Sequence, residues 1–223
     1  VYVSKDYRGL SKQKQKESDL ILPYGDVSAS LLEAAYFPKT DAPEFQNVRQ
    51  IIKDRWLWVF QRNLWTPKGV YVAHDLESKG LSEPMVLSEL EKAVSDGREV
   101  MDGVVFSKDG RVRFASRESY ELSNDQGLHA FQDHTEESLS KDGFVIAGYG
   151  VEGAKKLARV STKFRNNPRT YGVNVAEGEK PPVQRVSALV SDVFGDGLGV
   201  VSGDFGHDNS GCAFGVSPST EGA

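Results

Sequence analysis

Apolar residues are sparse at the start of the chain and gather after residue 20. Residues 1–20 show no apolar periodicity beyond Val3 and predict an extended N-terminal arm. Leu31, Leu32, Ala35 and Phe37 then predict a short helix, with Ser28 or Ser30 as its cap. Asp41, Pro43 and Glu44 mark a second helix start: a cap, a proline in the first turn and an acid for the positive end of the dipole. Phe45, Val48, Ile52, Trp56, Val59 and Leu64 keep close to helical spacing. Two readings follow. One helix runs from 43 to about 64, or it ends near 54 and WLWVF (56–60) becomes a buried strand. Residues 69–73 predict a strand, and Ser82 with Pro84 opens a helix ending near Gly97, with Met85, Leu87, Leu90 and Val94 inward.

The alternation across 103–116 predicts a hairpin, its turn formed by Lys108, Asp109 and Gly110. Residues 117–142 are polar, with Thr135 capping a short helix through Glu136 and Glu137. Beyond them the pattern predicts strand 144–147, helix 151–164, strand 171–175, helix 183–193, strand 198–201 and a last strand over 212–216. Strand, helix, strand, helix, strand is the signature of a parallel-sheet unit. The fold class is therefore α/β or α+β: a mixed sheet with flanking helices, a βαβαβ-like C-terminal part and the extended arm. The organisation along the chain is arm 1–20, an α+β portion 21–142, the βαβαβ-like portion 143–216 and a tail 217–223. The two larger portions are one large domain or two small ones.

Composition narrows the function classes. Hydrophobic content of 39% and charged content of 26% over 223 residues are those of an ordinary soluble globular protein. The longest apolar run, 56–60, is far too short to span a membrane. A net charge of −5 gives the chain no overall nucleic-acid footprint. Cys212 is the only cysteine, which excludes an internal disulfide and any multi-cysteine metal site. It slightly favours a reducing compartment.

The nearest thing to a chemical signature is FVIAGYGVEGA, residues 144–154. Gly148, Gly150 and Gly153 fit G-x-G-x-x-G, a turn in which glycines let the backbone approach a phosphate at a helix N-terminus. Glu177, after the next predicted strand, stands where such a fold places its ribose-binding acid. Glu152 opposes this, because a carboxylate in the first turn repels a pyrophosphate. The alternative is a close-packed strand-to-helix turn without a ligand. A second signature is shorter. Residues 208–212, DNSGC, faintly resemble the nucleophile loop of chymotrypsin-like serine proteases, with Cys212 in place of a glycine. That resemblance implies Ser210 as nucleophile and the upstream His74 as base. For a metal, His207, Asp204 and Asp208 are the best set, and no metal site is assigned.

Three functions follow as expectations. The leading one is a non-catalytic protein-interaction or assembly subunit, with a protein partner or further copies of itself. Lys5, Arg8 and Lys12 of the arm and Trp56, Trp58 and Trp65 are its candidate contacts, since tryptophan is enriched at binding hot spots. The others are a nucleotide-binding protein, possibly an oxidoreductase, and a serine hydrolase using His74 and Ser210.

Overall fold

The computed structural model describes residues 2–4, 22–39, 42–125, 130–176, 182–191, 196–203 and 211–213. Lys5, Arg8, Lys12, Glu177, Asp204, His207, Asp208 and Ser210 lie outside them. Within them the elements run β1 (Tyr2–Ser4), α1 (Gly25–Tyr36), α2 (Pro43–Asp54), β2 (Trp56–Thr66), β3 (Gly69–His74), α3 (Leu87–Ser95), β4 (Arg98–Met101), β5 (Val104–Phe106) and β6 (Val112–Ser116). There follow β7 (Asn124–Asp125), β8 (Ala130–Asp133), α4 (Glu136–Lys141), α5 (Gly143–Ser161), β9 (Asn166–Gly172), β10 (Val183–Ser191), β11 (Gly197–Gly203) and β12 (Gly211–Ala213).

All strands join one sheet, in the order β4-β5-β6-β3-β2-β10-β11-β9-β8-β7, with β12 beside the start of β2 and β1 on β12. β11 runs parallel to β9 and β12 parallel to β2, while the other pairs are antiparallel. The result is the expected α+β class, a mixed sheet with flanking helices. The portions 21–142 and 143–216 share this sheet, because β2 pairs directly with β10.

β2 decides the architecture. It is buried along nearly its whole length, so both of its faces meet other parts of the protein, and its buried polar residues Gln61, Arg62 and Asn63 are hydrogen-bonded. Leu57, Val59 and Trp65 point to the main core, where α1, α2 and α5 bring Leu32, Ile52 and Phe144. Trp58 and Phe60 point the other way and pack with Leu22, Val186 and Ala188. Leu64 and Tyr71 share that second face with Leu90 of α3. The strand reading of WLWVF is therefore the one adopted, and the helix starting at Pro43 stops at Asp54. A helix at the edge of the core buries one stripe, whereas this strand between β3 and β10 buries Leu57 and Val59 on one face and Trp58 and Phe60 on the other.

The hairpin of 103–116 is present: β5 and β6 pair antiparallel across a turn in which Gly110 takes a positive φ of 70°. Thr135 caps α4 through a reciprocal capping box with Ser138. Two expectations for the C-terminal part are corrected. Residues 144–147 are not a strand but the first turns of α5, entered through the side-chain cap of Asp142. Their unbroken apolar run reflects burial on all sides, which periodicity alone cannot assign to strand or helix. Residues 183–191 are not a helix but the central strand β10. Their helix-like spacing is misleading because Ser187 and Ser191 are buried and hydrogen-bonding partners make Ser187 a core residue. Without those two helix and strand assignments the βαβαβ order is absent.

Candidate functional site

Gly150 lies inside α5 with φ 74° and ψ 164°, which splits the element into two helical segments at a kink. Only glycine accepts this backbone readily. The space beside it is also filled, because a Cβ there would lie 2.3 Å from Asp26 Oδ1. The Asp26 carboxylate thus sits where the second segment starts. Arg113 of β6 donates to both of its oxygens, through Nη1 at 3.1 Å to Oδ1 and through Nη2 to Oδ2. Arg113 Nε also donates to Gly110 O at 3.0 Å, and its guanidinium stacks 4.4 Å from the centre of the Phe106 ring. One buried arginine therefore ties the hairpin turn, α1 and α5 together.

The three glycines do different things. Gly148 packs against Gln61, and its carbonyl oxygen would be only 1.9 Å from a Cβ on Gly25, so α1 and α5 cross in backbone contact. Gly153 packs against Ala29 and Tyr149. Gly150 alone needs its conformational freedom. A dinucleotide turn requires a strand before the glycines, and here a helical segment precedes them. The position a phosphate would take at the helix start is taken by Asp26. The glycine motif is therefore a kink within α5, closed by the Asp26–Arg113 ion pair.

A cleft of about 500 Å³ opens beside the kink. Asp26 and Ser30 enter it from α1, Arg98, Glu99 and Arg113 from the strands, and Glu152 and Lys156 from α5. Lys156 Nζ donates to Ser30 Oγ at 2.9 Å, and Glu152 pairs with Lys155 at 2.6 Å.

The remaining candidates are dispersed. His74 ends β3, stacked on Tyr24 with ring centres 4.2 Å apart. Burial, then the Arg113 charge, pulls its pKa down to about 4. Trp58 and Trp65 belong to the protein's own core, and the indole of Trp65 donates to Ser202 Oγ at 2.7 Å. Neither is free to meet a partner, which corrects that expectation for both; their apolar area is needed to cover the two faces of β2. Trp56 is half-buried beside the second cluster. Among the described residues no group of three or more His, Cys, Asp or Glu could hold a metal ion, and no helix is long and apolar enough to cross a membrane.

Two features were missed by the sequence reading. The first is a buried polar cluster. His134 Nε2 lies 2.9 Å from Thr170 Oγ1 and 3.9 Å from Asp142 Oδ2, and its Nδ1 lies 3.2 Å from Ser138 Oγ. Burial holds the His134 pKa down to about 4. It pushes Asp142 up to about 7, against backbone N–H groups of Val145, Phe144 and Glu121 that favour the ionised form. The capping role of Thr135 was readable, but the approach of Thr170 was not.

The second is the segment 75–86 between β3 and α3. It has no regular structure, but hydrogen bonds fix it at Asp75, Ser78 and from Lys79 to Met85. The Asp75 carboxylate accepts from the N–H groups of Lys79 and Gly80 at 2.8 and 2.7 Å. Arg62 of β2 donates to Gly80 O at 2.8 Å and to Glu83 O. Gln184 of β10 donates to the same two carbonyls at 2.9 and 3.0 Å and accepts from Met85 N–H at 2.8 Å. Leu81 packs against the Trp58 cluster. Ser78 and Gly80 both hold positive φ, 55° and 53°. The segment carries both exposed large hydrophobics of the described residues, Leu76 at 51% and Val86 at 47% exposure.

No family model matches the chain, and no curated protein matches it. A solved structure reported as "Accommodation of massive sequence variation in Nanoarchaeota by the C-type lectin fold" is similar over 94% of this chain and 93% of that one, at 13% identity and a TM-score of 0.46. A likeness at that level carries no argument here.

Proposed function

We propose that this chain is a non-catalytic protein-interaction or assembly subunit, and that segment 75–86 meets the partner. The observation that supports this is the way the segment is held. Surface connections of this length are usually mobile, and ordering them on binding opposes affinity. Here Arg62, Gln184 and Asp75 fix the backbone in advance, so apolar side chains at 76 and 86 are presented at little further entropic loss. A rigid scaffold displaying an ordered loop is a common plan for recognition surfaces.

The test is a native mass spectrum of the protein purified from its source, repeated with the variants Leu76→Ser and Val86→Ser. The expected result is a complex, with another protein or with further copies, that both substitutions weaken while the melting temperature stays unchanged. A bare monomer at every concentration, or a complex indifferent to both substitutions, overturns the reading.

A further inference from the structure

The cleft beside Gly150 has a second, separate use that does not rest on segment 75–86. We propose that it binds a small zwitterion of the free α-amino acid type. Three cations line it, Arg98, Arg113 and Lys156, and so do three acids, Asp26, Glu99 and Glu152; the sum is zero. A polyanion such as a nucleotide would meet all three carboxylates, and a polycation all three positive groups. A ligand with one charge of each sign meets complementary groups at both ends.

Arg113 is held in place by the fold. It is 5% exposed and fixed by Asp26, Gly110 and Phe106. Two of the cations keep donors in reserve: Lys156 bonds to a serine hydroxyl, and neither it nor Arg98 forms an ion pair with a carboxylate of the described residues. These two would take the ligand carboxylate. Glu99 uses one oxygen, Oε1, on the Gly103 N–H at 3.0 Å and has the other for an ammonium group. Val100 and Phe106 form an apolar wall for a side chain. The helix start after Gly150 contributes little, since Asp26 already compensates it. The volume, about 500 Å³, lies within the usual range for small-molecule sites.

The experiment follows the backbone amide signals of Gly150 and Gly153 by NMR during titration with L-leucine, leucinamide, N-acetyl-leucine, acetate and ATP. L-leucine should move both signals, and removing either charge should abolish the effect. Lys156→Met should keep the fold and weaken L-leucine binding about tenfold, the usual loss for one charge-assisted hydrogen bond. No movement with L-leucine overturns the proposal. Equal movement with N-acetyl-leucine or acetate makes the cleft a plain anion site, and movement with ATP alone makes it a nucleotide site; either result also overturns it.

Discussion

At the residue scale, Gly150 and Gly110 form a natural comparison. Both have positive φ, 74° and 70°, but Asp26 fills the space beside Gly150 whereas nothing lies within 4 Å of a Cβ at Gly110. Gly110→Ala should therefore cost only the backbone term, about 1 kcal/mol. Gly150→Ala adds displacement of Asp26 from Arg113 and should cost about 3 kcal/mol. Urea unfolding of the two variants checks this, and equal losses would mean that Asp26 moves aside freely. The tryptophans carry a related lesson. Three indoles within ten residues looked like a recognition surface, yet Trp58 and Trp65 lie on opposite faces of one buried strand. The sequence contained the alternation, but β2 had to be known as a central strand before it could be used.

At the element scale, segment 75–86 depends on side chains far away in sequence. Arg62 and Gln184 reach it from two adjacent strands, β2 and β10. Arg62→Leu should remove one donor from each of the carbonyls of Gly80 and Glu83, leaving them to Gln184, and cost about 2 kcal/mol. Amide exchange within 76–86 should accelerate while β2 and β10 remain protected. Exchange that stayed slow would show that Gln184 and Asp75 suffice. No local signal predicts this: Ser82 and Pro84 read as a helix start, but the regular helix begins only at Leu87. The bonds that hold the preceding residues in irregular form come from the sheet beneath.

At the scale of the whole molecule, one sheet joins the two portions of the chain. Fragments 21–142 and 143–223 expressed apart should not fold, because each would expose one side of the β2–β10 pairing. Circular dichroism of each fragment, and of the mixture, checks this. The dependence of stability on pH is also a property of the whole. His74 and His134 have native pKa values near 4, below 6.5, so each contributes stability that is present above pH 6.5 and lost as pH falls toward 4. Asp142, raised from 3.8 to about 7, acts in the opposite sense: its stabilisation is complete below 3.8 and is lost as pH rises toward 7. Between pH 5 and 6 two groups oppose one, a net of roughly one proton, so stability should fall by about 1 kcal/mol per unit of acidification. Asp142→Asn should roughly double that slope, and His74→Gln should bring it close to zero. Denaturant midpoints measured across the window decide the matter, and an Asp142→Asn slope equal to the parent's would show that Asp142 is ionised throughout.

What the sequence determined by itself is the set of elements whose signals are local. Asp109 and Gly110 specify the hairpin turn, Pro43 opens α2, Thr135 caps α4, and the apolar run of 69–73 makes β3. Each rests on a backbone preference or a cap that acts within four residues. A mixed sheet with flanking helices was legible as α/β or α+β, and the sheet pairing decided for α+β. Tertiary structure alone decided the elements buried on every side. Residues 144–147 became helix because a wholly enclosed apolar run carries no period, and 183–191 became strand despite helical spacing of its apolar residues, because Ser187 is buried against Gln61 and Asn63 of β2. It also decided the meaning of the glycine motif. The pattern of Gly148, Gly150 and Gly153 was legible, but its partner was Asp26, more than a hundred residues away, and only the folded chain could bring that carboxylate to the helix start.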